Sequence, residues 1–268
     1  MLSLLVTLLV AAPPAQALTA SAALPKTPAD LPQCTKALDA KGPLPQTAGE
    51  TIRYLVDVNG LSVGTIDFKI ERVGTYAGQL VTEYRSLFKL DSLVASFVPA
   101  EGRAASLVDL GSHLPLTSTN RYKSDKNNFE EDVTYASGGK GLSSKRLRNN
   151  EKKVDERSFP SPAIDFVSAY YVMRSFHAET NGCALLYANQ RAYTVWVKHV
   201  GQEPVKTPVG SKPADKYELR YASEKQRTAI TATIWMATDA TRLPYKMRVE
   251  GKQPLEARVH MYEVPPAK

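Results

Sequence analysis

The chain has few of the residue types that usually mark chemistry. It carries four histidines, His113, His177, His199 and His260, and no two share the H-x-x-x-H spacing of a metal site. His113 falls in a turn, His177 at the end of a helix, and His199 and His260 on strands. It contains no G-x-S-x-G elbow for a nucleophilic serine and no glycine-rich phosphate loop. Carboxylates are plentiful. The run Glu130, Glu131, Asp132 reads as a solvated strand edge, and a hydrolytic pair would need two carboxyls brought together by the fold. The expectation is therefore a protein that is not an enzyme, with no metal and no cofactor. A hydrolase is the lesser alternative.

Cysteine is also scarce. Cys34 and Cys183 are the only two, with no C-x-x-C for redox work. In an oxidising compartment such a pair reads as a disulfide, here tying an N-terminal tail to the loop after a helix. Closing so long a loop would contribute on the order of 4 kcal/mol in the chain-entropy model. Long apolar runs are absent except at the start. There LSLLVTLLV has the length of a signal-peptide core, and Ala15-Gln16-Ala17 is an A-x-A cleavage site, though no Lys or Arg precedes the run. Residues 1–17 are thus expected to be a signal peptide and the protein to be exported, to the periplasm or the outer envelope of a bacterium. Residues 18–48, rich in Ala and Pro, read as a little-ordered tail. Residues 49–264 are left as one β-rich domain.

What the chain has in excess is positive charge, a formal +7 that removal of residues 1–17 leaves unchanged. On an exported protein this favours anionic lipid, lipopolysaccharide or acidic polysaccharide over nucleic acid. The excess peaks in residues 140–157, with seven Lys or Arg against three acidic residues. That hairpin reads first as a solvated edge protected by its lysines. Its sharper reading is an anion site built from Lys145, Arg146, Arg148, Lys152 and Lys153.

Most of the chain alternates with period two. TIRYLVDV runs into Asn59-Gly60, a strong hairpin signal, and LSVGTIDFKIER returns, with Gly64 marking a bulge or a close backbone approach. About a dozen strands of this kind predict a mainly β fold: a curved antiparallel sheet, open barrel or half-barrel. Residues 91–97 read equally as strand or helical turn.

One stretch breaks the pattern. SPAIDFVSAYYVMRSF, from Ser161 on, predicts the single central helix, over residues 161–177. Ser161 would cap it, Pro162 would occupy the first turn, and Asn181-Gly182 would stop the chain beyond it. Phe166, Val167, Tyr170, Met173 and Phe176 form a stripe at spacings of three and four that should lie against the sheet. The periodicity fits either a solid core or the roof of a cavity. The reading preferred is a solid core under the helix, with any binding surface elsewhere on the sheet.

These stretches together resemble a family of exported bacterial proteins, domain of unknown function 3108. The resemblance rests on residues 49–72, on FVPAEGRAASLVDLGSHLPL, on VGQEPVKTPVG and on IWMATDATRLPYKMRVEG. It rests also on a helix pattern D-x-x-S-x-x-Y-x-x-R, here Asp165, Ser168, Tyr171 and Arg174. The chain departs from the family in its Ser-Pro helix start and its longer basic hairpin. The resemblance implies a single β-rich envelope domain and supplies no activity. The function expected is binding or carrying an amphiphilic or anionic envelope ligand such as lipid, lipoprotein or polysaccharide. The alternative is a structural or assembly factor with an envelope protein partner.

Overall fold

In the computed structural model, described over residues 27–38, 42–91, 100–124 and 127–266, one long sheet wraps around one short helix. The signal-peptide residues and the ambiguous 92–97 lie outside the described residues.

The first wing of the sheet is a continuous meander. It runs through β1 (Thr51–Val58), β2 (Leu61–Tyr76), β3 (Gln79–Leu90), β4 (Ala100–Asp109), β5 (Pro115–Ser124), β6 (Asn128–Tyr135), β7 (Gly141–Arg148) and β8 (Glu151–Ser158). The chain then crosses over through a two-residue strand, β9 (Ala163–Ile164), and the helix α1 (Phe166–Met173). The second wing meanders back through β10 (Asn181–Ala188), β11 (Arg191–Thr207), β12 (Gly210–Ser223), β13 (Ile230–Ala237), β14 (Pro244–Val249) and β15 (Leu255–Glu263). β15 pairs with β1 and so joins the wings into a single 15-stranded sheet, with β8 and β9 at its two ends. Every pairing is antiparallel except β9 with β10.

The expected dozen strands are thus fifteen, in an open curved sheet. Asn59 and Gly60 both take positive φ, as a two-residue hairpin needs. At Gly64 a Cβ would stand 2.2 Å from the Lys89 carbonyl oxygen, so β2 and β3 approach too closely there for any side chain.

The wings do not pair across the gap between β8 and β9, yet side chains fill part of it. Val133, Tyr135 and Leu142 from β6 and β7 pack with Ala163, Leu185, Tyr187 and Ala192 from the other wing. Arg157 holds Glu224 across the same seam at 2.8 Å. The sheet therefore stays open, with side-chain contacts bridging part of the seam that no ladder crosses.

Two expectations need correction. The helix spans eight residues, not 161–177. Its cap is Asp165, whose carboxylate accepts the Val167 and Ser168 N–H groups at 2.9 and 3.1 Å. A buried aspartate that also has serine partners outcompetes Ser161, and Ala163 and Ile164 just before it are taken by pairing with Leu185 and Leu186. Phe176 consequently lies beyond the helix, in the turn that ends it. The described part of the tail, residues 27–38 and 42–48, also packs against the sheet. Leu31 and Leu44 are buried, Tyr84 donates to the Pro45 carbonyl, and Ala37 bridges to Cys183. Cys34 and Cys183 form a disulfide that clamps this segment to β10. No helix among the described residues is long and apolar enough to cross a membrane.

Candidate ligand cleft and its basic neighbour

The helix is fixed in the concavity by residues spaced three apart. Asp165 and Ser168 share a buried network with Ser106 of β4, at 2.5–2.8 Å. Burial raises the Asp165 carboxyl above its usual range, although hydrogen bonds from Ser168, Ser106 and two backbone N–H groups oppose the shift. Tyr171 stacks on Tyr84 of β3 with centroids 3.7 Å apart. Arg174 forms a buried bidentate pair with Glu50 and donates to the Thr241 carbonyl between β13 and β14. Burial disfavours its charge, but the Glu50 carboxylate more than compensates and holds the guanidinium above its usual pKa. Asp165, Ser168, Tyr171 and Arg174 thus anchor the helix to three separate parts of the sheet. None of the four is exposed to solvent.

The same side of the helix carries Val167 and Tyr170, which are buried as well. Tyr170 stacks on Phe68 at 3.6 Å, and its hydroxyl meets that of Tyr54 at 2.7 Å. This side is filled core.

The other side is not. A cavity of about 540 Å³ separates it from the second wing. Phe166, Ala169, Val172 and Met173 line it on the helix, Val167 and Tyr170 border it from the packed side, and Ile66 of β2 lies beside them. Leu186, Val195, Leu219, Ile234 and Met247 line it from β10 to β14. The size falls within the range of small-molecule sites, and the lining is predominantly apolar. The solid core expected under the helix therefore holds for one side only. Phe166 also departs from the expected stripe: it is 54% exposed, with its ring at the mouth of the cleft.

A second cavity of about 590 Å³ adjoins the first and shares Ile66, Ala104, Asn120, Phe166 and Asn189 with it. Its character is opposite. Arg146, Arg148 and Lys153 line it from β7 and β8, Arg103 from β4, and Arg191 and Lys225 from the start of β11 and the β12–β13 turn of the second wing. No carboxylate is among its lining residues.

Strand parity sorts the five basic residues expected at an anion site. Arg146 lies directly opposite Lys153, and Arg148 is two residues on, so these three share the concave face. Lys145 and Lys152 belong to the alternate register and point to the convex side.

Arg191 and Lys225 were not anticipated, because only the curvature of the sheet brings the second wing's turns to β7. Glu131 is not the solvated edge that the acidic run suggests. It is 2% exposed and accepts from Ser144 Oγ at 2.8 Å and from the Asn189 and Gln190 N–H groups at 2.9 Å. Its carboxylate clasps the β10–β11 turn to β6. Burial raises its pKa against those hydrogen bonds. A signal was present in the sequence: Glu131 shares strand parity with Phe129 and Val133.

Among the described residues no three His, Cys, Asp or Glu groups cluster as metal ligands would.

Fold and cleft together define a β-barrel-like protein whose curved sheet holds one anchored helix over an apolar cavity. The chain belongs to the protein family of unknown function DUF3108, whose model matches residues 53–252. Among curated proteins none matches the sequence. Among solved structures it is similar to a β-barrel-like protein of domain of unknown function DUF1849 from Brucella abortus. That match has TM-score 0.57 and 9% identity, over 82% of this chain and 99% of that one. At such identity the likeness shows the fold alone. Looser matches are an exported protein, so described, with a YmcC-like fold from Bacteroides fragilis, and the hypothetical lipoprotein YmcC from Escherichia coli. The first has TM-score 0.38 and 10% identity, over 82% of this chain and 98% of that one. The second has TM-score 0.32 and 10% identity, over 82% and 85%.

Proposed function

We propose that this chain is an exported envelope protein that binds an amphiphile, with the apolar part of the ligand in the cleft beside α1. The observation that carries the reading is the cavity of about 540 Å³ between helix and sheet, lined mainly by Leu, Ile, Val, Met and Phe side chains. A well-packed interior does not leave a space of that size unfilled. Export is supported by the N-terminal apolar run with its A-x-A site and by a disulfide, which persists in oxidising compartments.

The reading predicts saturable binding of single-chain fatty acids, with displacement of an apolar fluorescent dye. Affinity should rise roughly fourfold per added methylene until the cleft is full, the equivalent of ~0.8 kcal/mol for each buried CH2. Ala169→Trp, which fills the cleft from the helix, should abolish binding while leaving the thermal midpoint nearly unchanged. Native mass spectrometry of the purified protein should find bound lipid. A protein with no bound lipid and no saturable dye binding would overturn the reading.

A further inference from the structure

We propose that the basic cavity adjoining the cleft is a head-group subsite, and that it takes the phosphate of an anionic lipid. The inference rests on the reading of the cleft as the apolar compartment and names the head that accompanies the chain.

The first ground is positive charge concentrated with little compensation: Glu131, opposite Arg146, offsets part of it. Arg146, Arg148, Lys153, Arg191 and Lys225 converge on one cavity that no carboxylate lines. Arg146 and Lys153 sit directly across a strand pair, and like charges in that position destabilise a sheet. Three of the four neighbouring carboxylates, Glu131, Asp155 and Glu224, already have hydrogen-bond partners. Glu131, opposite Arg146, is held by Ser144 and two backbone N–H groups. Asp155 and Glu224 are both held by Arg157. Glu151, opposite Arg148, is exposed and forms no ion pair within 4 Å among the described residues.

The second ground is unused hydrogen-bonding capacity. The Arg146 Nε is buried and has no hydrogen-bond partner among the described residues. Arg148 makes one such bond, to Asn127 Oδ1 at 3.1 Å. A guanidinium offers five donors in a planar fork that matches phosphate oxygens. Two arginines and a lysine on one sheet face, met by an arginine and a lysine from the opposite wing, suit a compact group bearing several oxygens better than a single carboxylate.

The third ground is continuity. The exposed ring of Phe166 borders both cavities, as do Ile66 and Ala104. A ligand with its chain under Met173 and its head at Arg146 would pass along one continuous wall. Apolar and cationic compartments in contact are the complement of an anionic amphiphile.

The test compares phosphatidic acid with diacylglycerol of the same short chains, each titrated into the full chain below its aggregation concentration. Inorganic phosphate is titrated in parallel. The wild type should prefer phosphatidic acid by at least about tenfold, a preference of ~1.4 kcal/mol. Arg146→Gln with Lys153→Gln should remove most of that preference and leave diacylglycerol binding unchanged. Its thermal midpoint should not fall, because a like-charge pair has been relieved. Lys145→Gln with Lys152→Gln removes the same charge from the convex side and should change nothing. If diacylglycerol binds and no preference for phosphatidic acid exists, the head-group inference fails and the cleft reading stands. Equal loss in both double variants would also overturn the inference, since a diffuse field would then explain the preference. Tight binding of inorganic phosphate with no lipid binding would replace it with a free-anion site. Binding of neither lipid would end both readings.

Discussion

The two sides of α1 differ sharply. One side presents Val167, Tyr170 and Tyr171, stacked on Phe68 and Tyr84 and sealed by the Asp165 and Arg174 networks. The other presents Phe166, Ala169, Val172 and Met173 to an open cavity, which Val167 and Tyr170 also border. A helix of eight residues has no stability of its own in water, so the packed side must hold it in place. The packed side is therefore what keeps the open side open. A helix held only by an apolar stripe would settle into the space beside it. This one is pinned at its start to β4, in its middle to β3, and at its end to Glu50 and Thr241.

The comparison breaks most directly at Arg174. Arg174→Met leaves the buried Glu50 without its ion-pair partner, and should cost about 3–5 kcal/mol in urea unfolding. Adding Glu50→Leu should recover much of that loss, because two apolar residues do not strand a charge. If the single variant loses less than about 1 kcal/mol, the anchor is not what holds the helix, and the division between packed and open sides loses its cause.

Most of the fold was legible in the sequence, because period-two alternation and Gly or Asn turns are local signals. Asn59-Gly60 and the long alternating strands needed nothing from the rest of the chain. The site was less legible. The stripe of Phe166, Val167, Tyr170, Met173 and Phe176 was visible, but helical periodicity shows which residues share a side and not what stands opposite. The two-residue β9 is strand only because Leu185 and Leu186 accept it, a tertiary fact that also displaced the expected cap from Ser161 to Asp165. The basic pocket was half visible. Arg146, Arg148 and Lys153 came from one charged hairpin, while Arg191 and Lys225 join them only through the curvature of the sheet.

A milder pair of variants sharpens the contrast between the two sides. The Tyr171 hydroxyl is buried with no hydrogen-bond partner among the described residues. Tyr171→Phe should therefore keep the ring stack and raise stability by up to about 1 kcal/mol, read as a higher thermal midpoint. Phe166→Ala, on the open side, should cost less than about 1 kcal/mol because its ring is half exposed. Its effect should appear instead in weaker fatty-acid binding. A Phe166 variant that unfolds readily, or one that binds as the wild type does, would show that the open side is not a binding wall.

The smallest effect is expected at the cap, where the two sides meet. The Asp165 carboxyl is raised by burial above the ~3.9 of an ordinary aspartate, with the Ser106, Ser168 and backbone donors opposing the shift. Between the unfolded and folded values the native state binds more protons than the unfolded one. Stability contributed by this group therefore falls as pH rises through that window. Asp165→Asn removes the titration and keeps a good cap, since asparagine caps helices well and serine hydroxyls can turn to accept from its amide. The variant should gain on the wild type as pH climbs from about 3 to 7, with nearly parallel melting curves at the acid end. Glu131 is shifted in the same direction, so it leaves a residual slope of the same sign in both proteins. If the difference between the two thermal midpoints stays constant across that range, Asp165 titrates as it does in the unfolded chain. In that case the serine and backbone donors balance burial at the cap, and Glu131 becomes the group to test for the remaining slope.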